Sequence, residues 1–372
     1  MTNEIPLYLG LEKNERERLI EDVKASFAQA AAALSGDKDT VAPDVGSAST
    51  EIVEVPQSSD LVGIDPSVYR QINGALRADK QHLMFYGPPG TGKTTLAQHV
   101  ARTLHSAYTM ITGSADWTSQ DVIGGYQPVG EGKVQFIPGV LIQNFDRPLI
   151  IDELNRCDID KVIGPLFTVL SEQETTLPYR TDISEAGSAA YVILPKPKSD
   201  AAEHEFAPKP AWRILATINS IDKAALYQMS YALSRRFGWI YVDVPENLED
   251  FLIEVMRKWS MIGVEEQSTE QVPLARLWQV VNGARVVGPA PILDMLTTIQ
   301  GVDAGVPLLV KPQGEQGSVY LDGFYMYVLP MLDGISMRQA GEVAQGIADA
   351  LGLREGSREA RVLADRLVGM TV

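Results

Sequence analysis

The sequence predicts an α/β fold: a parallel-sheet core with helices on both faces, followed by a mostly helical domain. Three observations predict it. First, nearly continuous apolar runs, "HLMFYG", "PLIIDE", "WRILATIN" and "WIYVDVP", alternate with helical patterns across residues 61–245, as expected for strands buried on both faces. Second, the first of these runs feeds a glycine-rich loop that opens a helix, "GPPGTGKTTLAQHVA". Third, residues 246–372 carry helical periodicity in "LEDFLIEVMRKW", "LARLWQVVNGA", "PAPILDMLTTIQ", "SMRQAGEVAQGIADALG" and "SREARVLADRLVGM". Inside that helical region "VPLLVKPQGEQGSVYL" reads as one β excursion.

The chain of 372 residues, 45% hydrophobic, is long enough for two or three domains with cores of their own. Its net charge of -16 repels phosphate backbones and argues against general coating of nucleic acid. Cys157 is the one cysteine, which excludes an internal disulfide and fits a reducing cytosol. The four histidines are scattered, with no metal-ligand spacing to cysteine or acids. No apolar run approaches the ~18 residues of a membrane span, and the N-terminus lacks a signal-peptide pattern. A cytoplasmic protein without membrane insertion is expected.

Residues 12–34 form an amphipathic helical stripe through Leu19, Ile20, Val23, Phe27, Ala30, Ala31 and Leu34. Residues 35–60, rich in small, polar and acidic side chains, read as a mobile linker. The expected organisation is therefore 1–60 as helix and linker, 61–245 as the α/β domain and 246–372 as the helical domain.

The most specific motif is G-x-x-x-x-G-K-[ST] at residues 87–94. Such a loop crowds backbone N–H groups around phosphates at a helix N-terminus. Gly87, Pro88, Pro89, Gly90, Thr91, Gly92, Lys93, Thr94 and Thr95 are the expected nucleotide contacts. Lys93 should reach the β- and γ-phosphates, and the Thr94 hydroxyl should hold Mg²⁺. In "RPLIIDELNR" a strand ends at Asp152 and Glu153. Acids at the C-terminal end of a parallel strand lie where open α/β sheets bind ligands. Asp152 fits a Mg²⁺-directed acid, and Glu153 a residue that orients and polarises a water.

Together the phosphate loop and the DE-ended strand resemble an AAA+ ATPase, and the resemblance extends over about residues 61–372. It implies ATP and Mg²⁺ as ligands. It also implies a polar sensor at the end of a further strand, which here is Asn219 of "RILATINS". An arginine finger acting on the neighbouring subunit is implied by "LSRRF", with Arg236 the first choice and Arg235 the second. A second sensor in the helical lid would be Arg285, and Val62, Gly63 and Ile64 would contact the adenine.

Residues 121–141, "DVIGGYQPVGEGKVQFIPGVL", read as a glycine- and proline-turned β-hairpin with alternating "KVQFI". Its place before the DE strand resembles the hairpin inserted in the MoxR/McrB-like, dynein-related branch. That branch implies a hairpin pointing into the pore of a ring. Val134 and Phe136 alternate with Lys133 and Gln135, so one face should pack and the other should face the pore. A longer second insertion is expected at residues 177–210. The resemblance implies a hexameric ring that remodels or matures a protein client, with a von Willebrand A-type partner, as a MoxR-like chaperone. The alternative is a McrB-like, GTP- or ATP-driven motor on nucleic acid or with a nuclease. A third reading is a nucleotide-dependent scaffold with little turnover.

Overall fold

The computed structural model of the chain describes residues 53–372, apart from 131, 165, 186, 220–233, 267 and 269. The helix expected at 12–34 and the linker up to residue 52 lie outside the described residues. Within 53–60, also read as linker, the chain is tied down. Val55 is buried, and its backbone N–H and C=O both bond the Asn73 side-chain amide, at 2.8 and 3.0 Å. Asn73 lies on α1 (Pro66–Arg77), which is capped by Asp65 and carries Pro66 in its first turn.

Five parallel strands form the sheet: β1 (His82–Gly87), β2 (Thr109–Thr112), β5 (Pro148–Asp152), β9 (Arg213–Asn219) and β10 (Phe237–Tyr241), in the order β10-β1-β9-β5-β2. The four apolar runs read from the sequence are β1, β5, β9 and β10. The fifth strand, β2, was not legible: it is a four-residue edge strand, "TMIT", only half-buried. Helix α2 (Lys93–Leu104) follows the phosphate loop and buries Leu96, Ala97, Val100 and Ala101 with no measurable exposure. The short helices α3 (Ser119–Val122), α4 (Val140–Gln143), α5 (Ile159–Ile163) and α6 (Leu166–Val169) follow among the described residues.

The first insertion is the expected antiparallel hairpin, β3 (Gly124–Gly130) with β4 (Lys133–Pro138). The second carries β6 (Thr175–Arg180), β7 (Ala190–Ile193) and β8 (Glu205–Phe206) in a small sheet. An aromatic cluster joins the two. Phe136 stacks on Tyr191 at 4.6 Å between ring centroids, packs beside Tyr179 and Phe206, and Tyr126 meets Tyr179 edge-on at 5.1 Å. The Tyr126 hydroxyl donates to the Arg180 carbonyl and accepts from the Arg180 N–H, at 3.0 and 2.6 Å. The expected packed face therefore divides: Phe136 is 4% exposed, whereas Val134, two residues nearer the tip, is 46% exposed. The ribbon has outrun its support before it reaches Val134.

Beyond the sheet the expected helices are present as α7 (Leu248–Lys258), α8 (Pro273–Ala284), α9 (Pro289–Val302), α11 (Met337–Leu351) and α12 (Arg358–Val368), which share one apolar core around Trp278. The β excursion is corrected. Residues 306–315 are irregular, and the segment ends in helix α10 (Gln316–Gly323). Val306 and Leu308 are apolar because they plug the helical core, while Pro307 and Pro312 remove the N–H donors that a ladder needs. Among the described residues no helix is long and apolar enough to cross a membrane.

The hairpin base should matter to folding and its tip should not. Phe136→Ala is expected to cost about 3–5 kcal/mol of unfolding free energy, and Val134→Ala less than about 0.5 kcal/mol. Urea denaturation checks both; equal losses would mean that the tip also packs.

Candidate nucleotide site

Parallel pairing assembles the site before any side chain is considered. In β1 and β9, Gly87 is in register with Asn219, and in β5 and β9, Ile151 is in register with Ala216. The phosphate loop, the acids and Asn219 therefore emerge at the same edge of adjacent strands. This is the edge at which open α/β sheets bind ligands.

The loop has the backbone the motif requires. Gly90 and Gly92 take φ of 76° and 84°, in the left-handed region that favours glycine. Gly92 caps α2 without a side-chain hydrogen bond, and Thr91 steadies the loop by donating to the Pro88 carbonyl at 3.1 Å. Lys93 is 6% exposed, and its ammonium donates to the carbonyls of Gly87 and Pro88 at 3.1 and 2.5 Å. Burial pushes its pKa down to about 8, against the upward pull of Asp152 and Glu153.

Beside it, the Thr94 hydroxyl donates to Asp152 Oδ1 at 2.6 Å. A threonine oxygen and a carboxylate oxygen together suit a hard cation such as Mg²⁺, which takes few protein ligands and leaves positions for water and phosphate. The donor set fits a cation completed by a phosphate ligand; no cluster of three or more His, Cys, Asp or Glu suited to a metal occurs among the described residues. Glu153 adopts φ 50° and ψ 49°, and its carboxylate pairs with Arg156. The chain turns sharply there against Gly113, where an added Cβ would lie 2.5 Å from the Glu153 carbonyl oxygen.

Three participants were not predicted: Arg156, Gly113 and Thr217. The Thr217 hydroxyl donates to Asp152 Oδ1 at 2.7 Å and accepts the Glu153 N–H at 2.9 Å. Arg156 lay within the quoted "DELNR", and Thr217 within "RILATIN" as a polar residue in an apolar strand. Gly113 left no pattern.

Of the residues expected at the base, Gly63 and Ile64 line a cavity of 680 Å³ with Val242, Pro245 and Phe251, while Val62 packs on the helical core. A Cβ on Gly92 would touch the Ile64 side chain at 4.0 Å, so this cavity adjoins the phosphate loop. The helical region also reaches the loop, where Gly288 and Ala290 at the start of α9 donate their N–H groups to the carbonyls of Pro89 and Gly90 at 3.2 and 3.1 Å. Arg285 donates to the Met331 carbonyl at 3.0 Å. Arg236 donates to the Ser171 hydroxyl at 2.5 Å, whereas Arg235 is exposed. Leu233 of the quoted "LSRRF" and its upstream flank lie outside the described residues. Cys157 is buried and its thiol is pushed up to about 11, as befits a packing residue.

The family of AAA domains of the dynein-related subfamily matches residues 82–237. Gas vesicle ATPase GvpN2 of Halobacterium salinarum is 28% identical over 167 residues, covering 42% of this chain and 45% of that protein. Gas vesicle ATPase GvpN of Ancylobacter aquaticus is 27% identical over 212 residues, 55% of each chain. The chain thus spans about half the length of these curated relatives. A solved structure of a RuvB mutant from Thermotoga maritima aligns with a TM-score of 0.43 and 15% identity, covering 85% of this chain and 88% of that one.

The state of Lys93 sets a pH dependence. Phosphates favour the charged ammonium, which is present below pH about 8 and lost above it. Affinity for a nucleoside triphosphate should be flat from about pH 7 to 8 and then fall by up to roughly tenfold per unit. Calorimetric titration checks this; constant affinity up to about pH 9.5, well past that pKa, would contradict it.

Proposed function

We propose, from the premise that residues 82–237 are an AAA domain of the dynein-related subfamily, that the chain is a Mg²⁺-dependent ATPase that works as a hexameric ring and remodels a protein partner in the manner of MoxR-like proteins. One observation carries the ATPase reading: Thr94, Asp152 and Glu153 converge beside the Lys93 loop at the ends of neighbouring parallel strands. Lys93 supplies the countercharge to the phosphates. Thr94 and Asp152 would hold Mg²⁺, whose charge offsets that developing on the phosphate oxygens. Glu153 accepts a hydrogen bond from the attacking water and aims it at the γ-phosphorus, and Asn219, in register with Gly87, steadies that water. The water oxygen forms the new bond to phosphorus as the bond to the bridging oxygen breaks.

The placement of the two arginines supports action between subunits. They precede Phe237, which pairs with His82 at the start of β1, whereas the phosphate loop leaves the far end of that strand at Gly87. Five residue steps of strand separate the two ends by roughly 16 Å, so neither arginine serves its own loop. Arg235 is the better finger, because Arg236 is tied to Ser171. The joined hairpins, with Val129, Val134 and Ile183 exposed, fit contact with a protein client. The net charge of -16 favours a protein over a nucleic acid.

Glu153→Gln should bind ATP as the parent does and lose about 10²–10⁴ in turnover. Arg235→Ala should lose about 10³, and mixing it with Glu153→Gln subunits should restore part of the rate at interfaces that combine a sound acid with a sound finger. Phosphate release and light scattering under ATP read both. Parent-like turnover in Glu153→Gln would remove Glu153 from its role, and no recovery at any mixing ratio from a monomeric species would remove the ring.

A further inference from the structure

The geometry points to Thr217 as a positioning residue that locks the two acids into one unit and thereby sets Mg²⁺ use. This rests on the nucleotide-hydrolysing reading above. Strand β9 lies between β1 and β5, and its neighbours Ile214, Leu215, Ala216 and Ile218 are all buried and apolar. Thr217, 2% exposed, places a hydroxyl in that apolar run. A buried hydroxyl is costly unless it is bonded. Here its one proton and one of its lone pairs are both used, and both partners are acids of the site.

Its proton goes to Asp152 Oδ1 at 2.7 Å, the same oxygen that accepts from Thr94 at 2.6 Å. The carboxylate is therefore held from two sides, which fixes the rotation of Asp152 against Thr94, the other expected cation ligand. Its lone pair takes the Glu153 N–H at 2.9 Å. Glu153 has just left the ladder, since β5 ends at Asp152, and stands in the left-handed region at φ 50°. Such a backbone persists only where its surroundings over-determine it. Thr217 thus replaces the lost ladder acceptor and keeps Glu153 turned. Asn219, two residues on, emerges on the same face of β9 as Thr217. One strand face therefore carries both the clamp on the acids and the expected sensor.

Valine is the isostere that separates this role from packing, because it keeps the shape, suits a buried strand and removes both bonds. Thr217→Val is expected to fold and to bind ATP without Mg²⁺ within about threefold of the parent. The Mg²⁺ concentration for half-maximal tightening of nucleotide binding should rise about 10-fold, and kcat should fall about 10- to 100-fold, the range seen when groups that orient metal ligands are removed. Thr217→Ser, which restores the hydroxyl, should return both to within about threefold. Nucleotide fluorescence titrated with Mg²⁺ reads the first quantity without turnover, and phosphate release reads the second.

A valine variant with parent-like Mg²⁺ dependence and kcat overturns the positioning role while leaving the ATPase reading intact. A parent that binds Mg²⁺ and nucleotide but never hydrolyses overturns the ATPase reading, and the Mg²⁺ shift alone then decides for or against Thr217. Should the valine variant fail to fold, the serine variant decides: parent-like Mg²⁺ dependence and rate with lowered stability support the clamp. Losses in Mg²⁺ dependence and rate as large as those expected of valine show that the methyl group, not the hydroxyl, matters, and overturn it.

Discussion

The site depends on parallel registry between β1, β9 and β5. A parallel ladder brings the C-terminal ends of neighbouring strands to the same edge, so a loop from one strand and acids from another meet without any connection of their own. Gly87 sits beside Asn219 and Ile151 beside Ala216. Each side chain of the site then needs to reach only its immediate neighbour. Slipping β9 by one residue would turn Thr217 and Asn219 to the opposite face, and Asp152 would lose one of its two hydroxyl partners.

From that registry follows a compact division of charge. Asp152 accepts two hydroxyl hydrogen bonds, Glu153 is paired with Arg156, and Lys93 is folded onto loop carbonyls. Burial weakens the charge on Lys93, while the nearby acids restore part of it. A group balanced in this way gains most when a phosphate arrives, because the added negative charge offsets the desolvation already incurred. The start of α9 lies against the same loop through two backbone hydrogen bonds. The helical region is thus joined to the phosphate loop by main-chain hydrogen bonds.

The inserted hairpins follow a different physical logic. A two-stranded ribbon is marginal by itself, and this one is stabilised by lending Phe136 and Tyr126 to the aromatic cluster of the second insertion. The cluster explains how a base can be rigid while the tip, with Val129 and Val134 in solvent, stays available for contact. Alternation along "KVQFI" described the side-chain directions correctly. It carried no information on how far along the strand the supporting partner extends.

By itself the sequence determined the local chemistry and the local conformations: the phosphate loop, the DE-ended strand, the hairpin, and helices with their apolar stripes. These features depend on residues a few positions apart, and short-range spacing encodes them directly. Edge strand β2 escaped because its four residues, half-buried and exposed in alternation, carry too little apolar signal. The segment at 306–321 misled because apolar residues that plug a helical core look like those of a strand. Tertiary structure alone decided that Thr217, 64 residues from Glu153 in sequence, would bond it. It also decided that Arg236 would be tied to Ser171 while Arg235 stays exposed, and that the carbonyls of Pro89 and Gly90 would meet α9. Such pairings are set by which strands become neighbours and in what register. That choice belongs to the packing of the whole sheet and core, and no local stretch of the chain contains it.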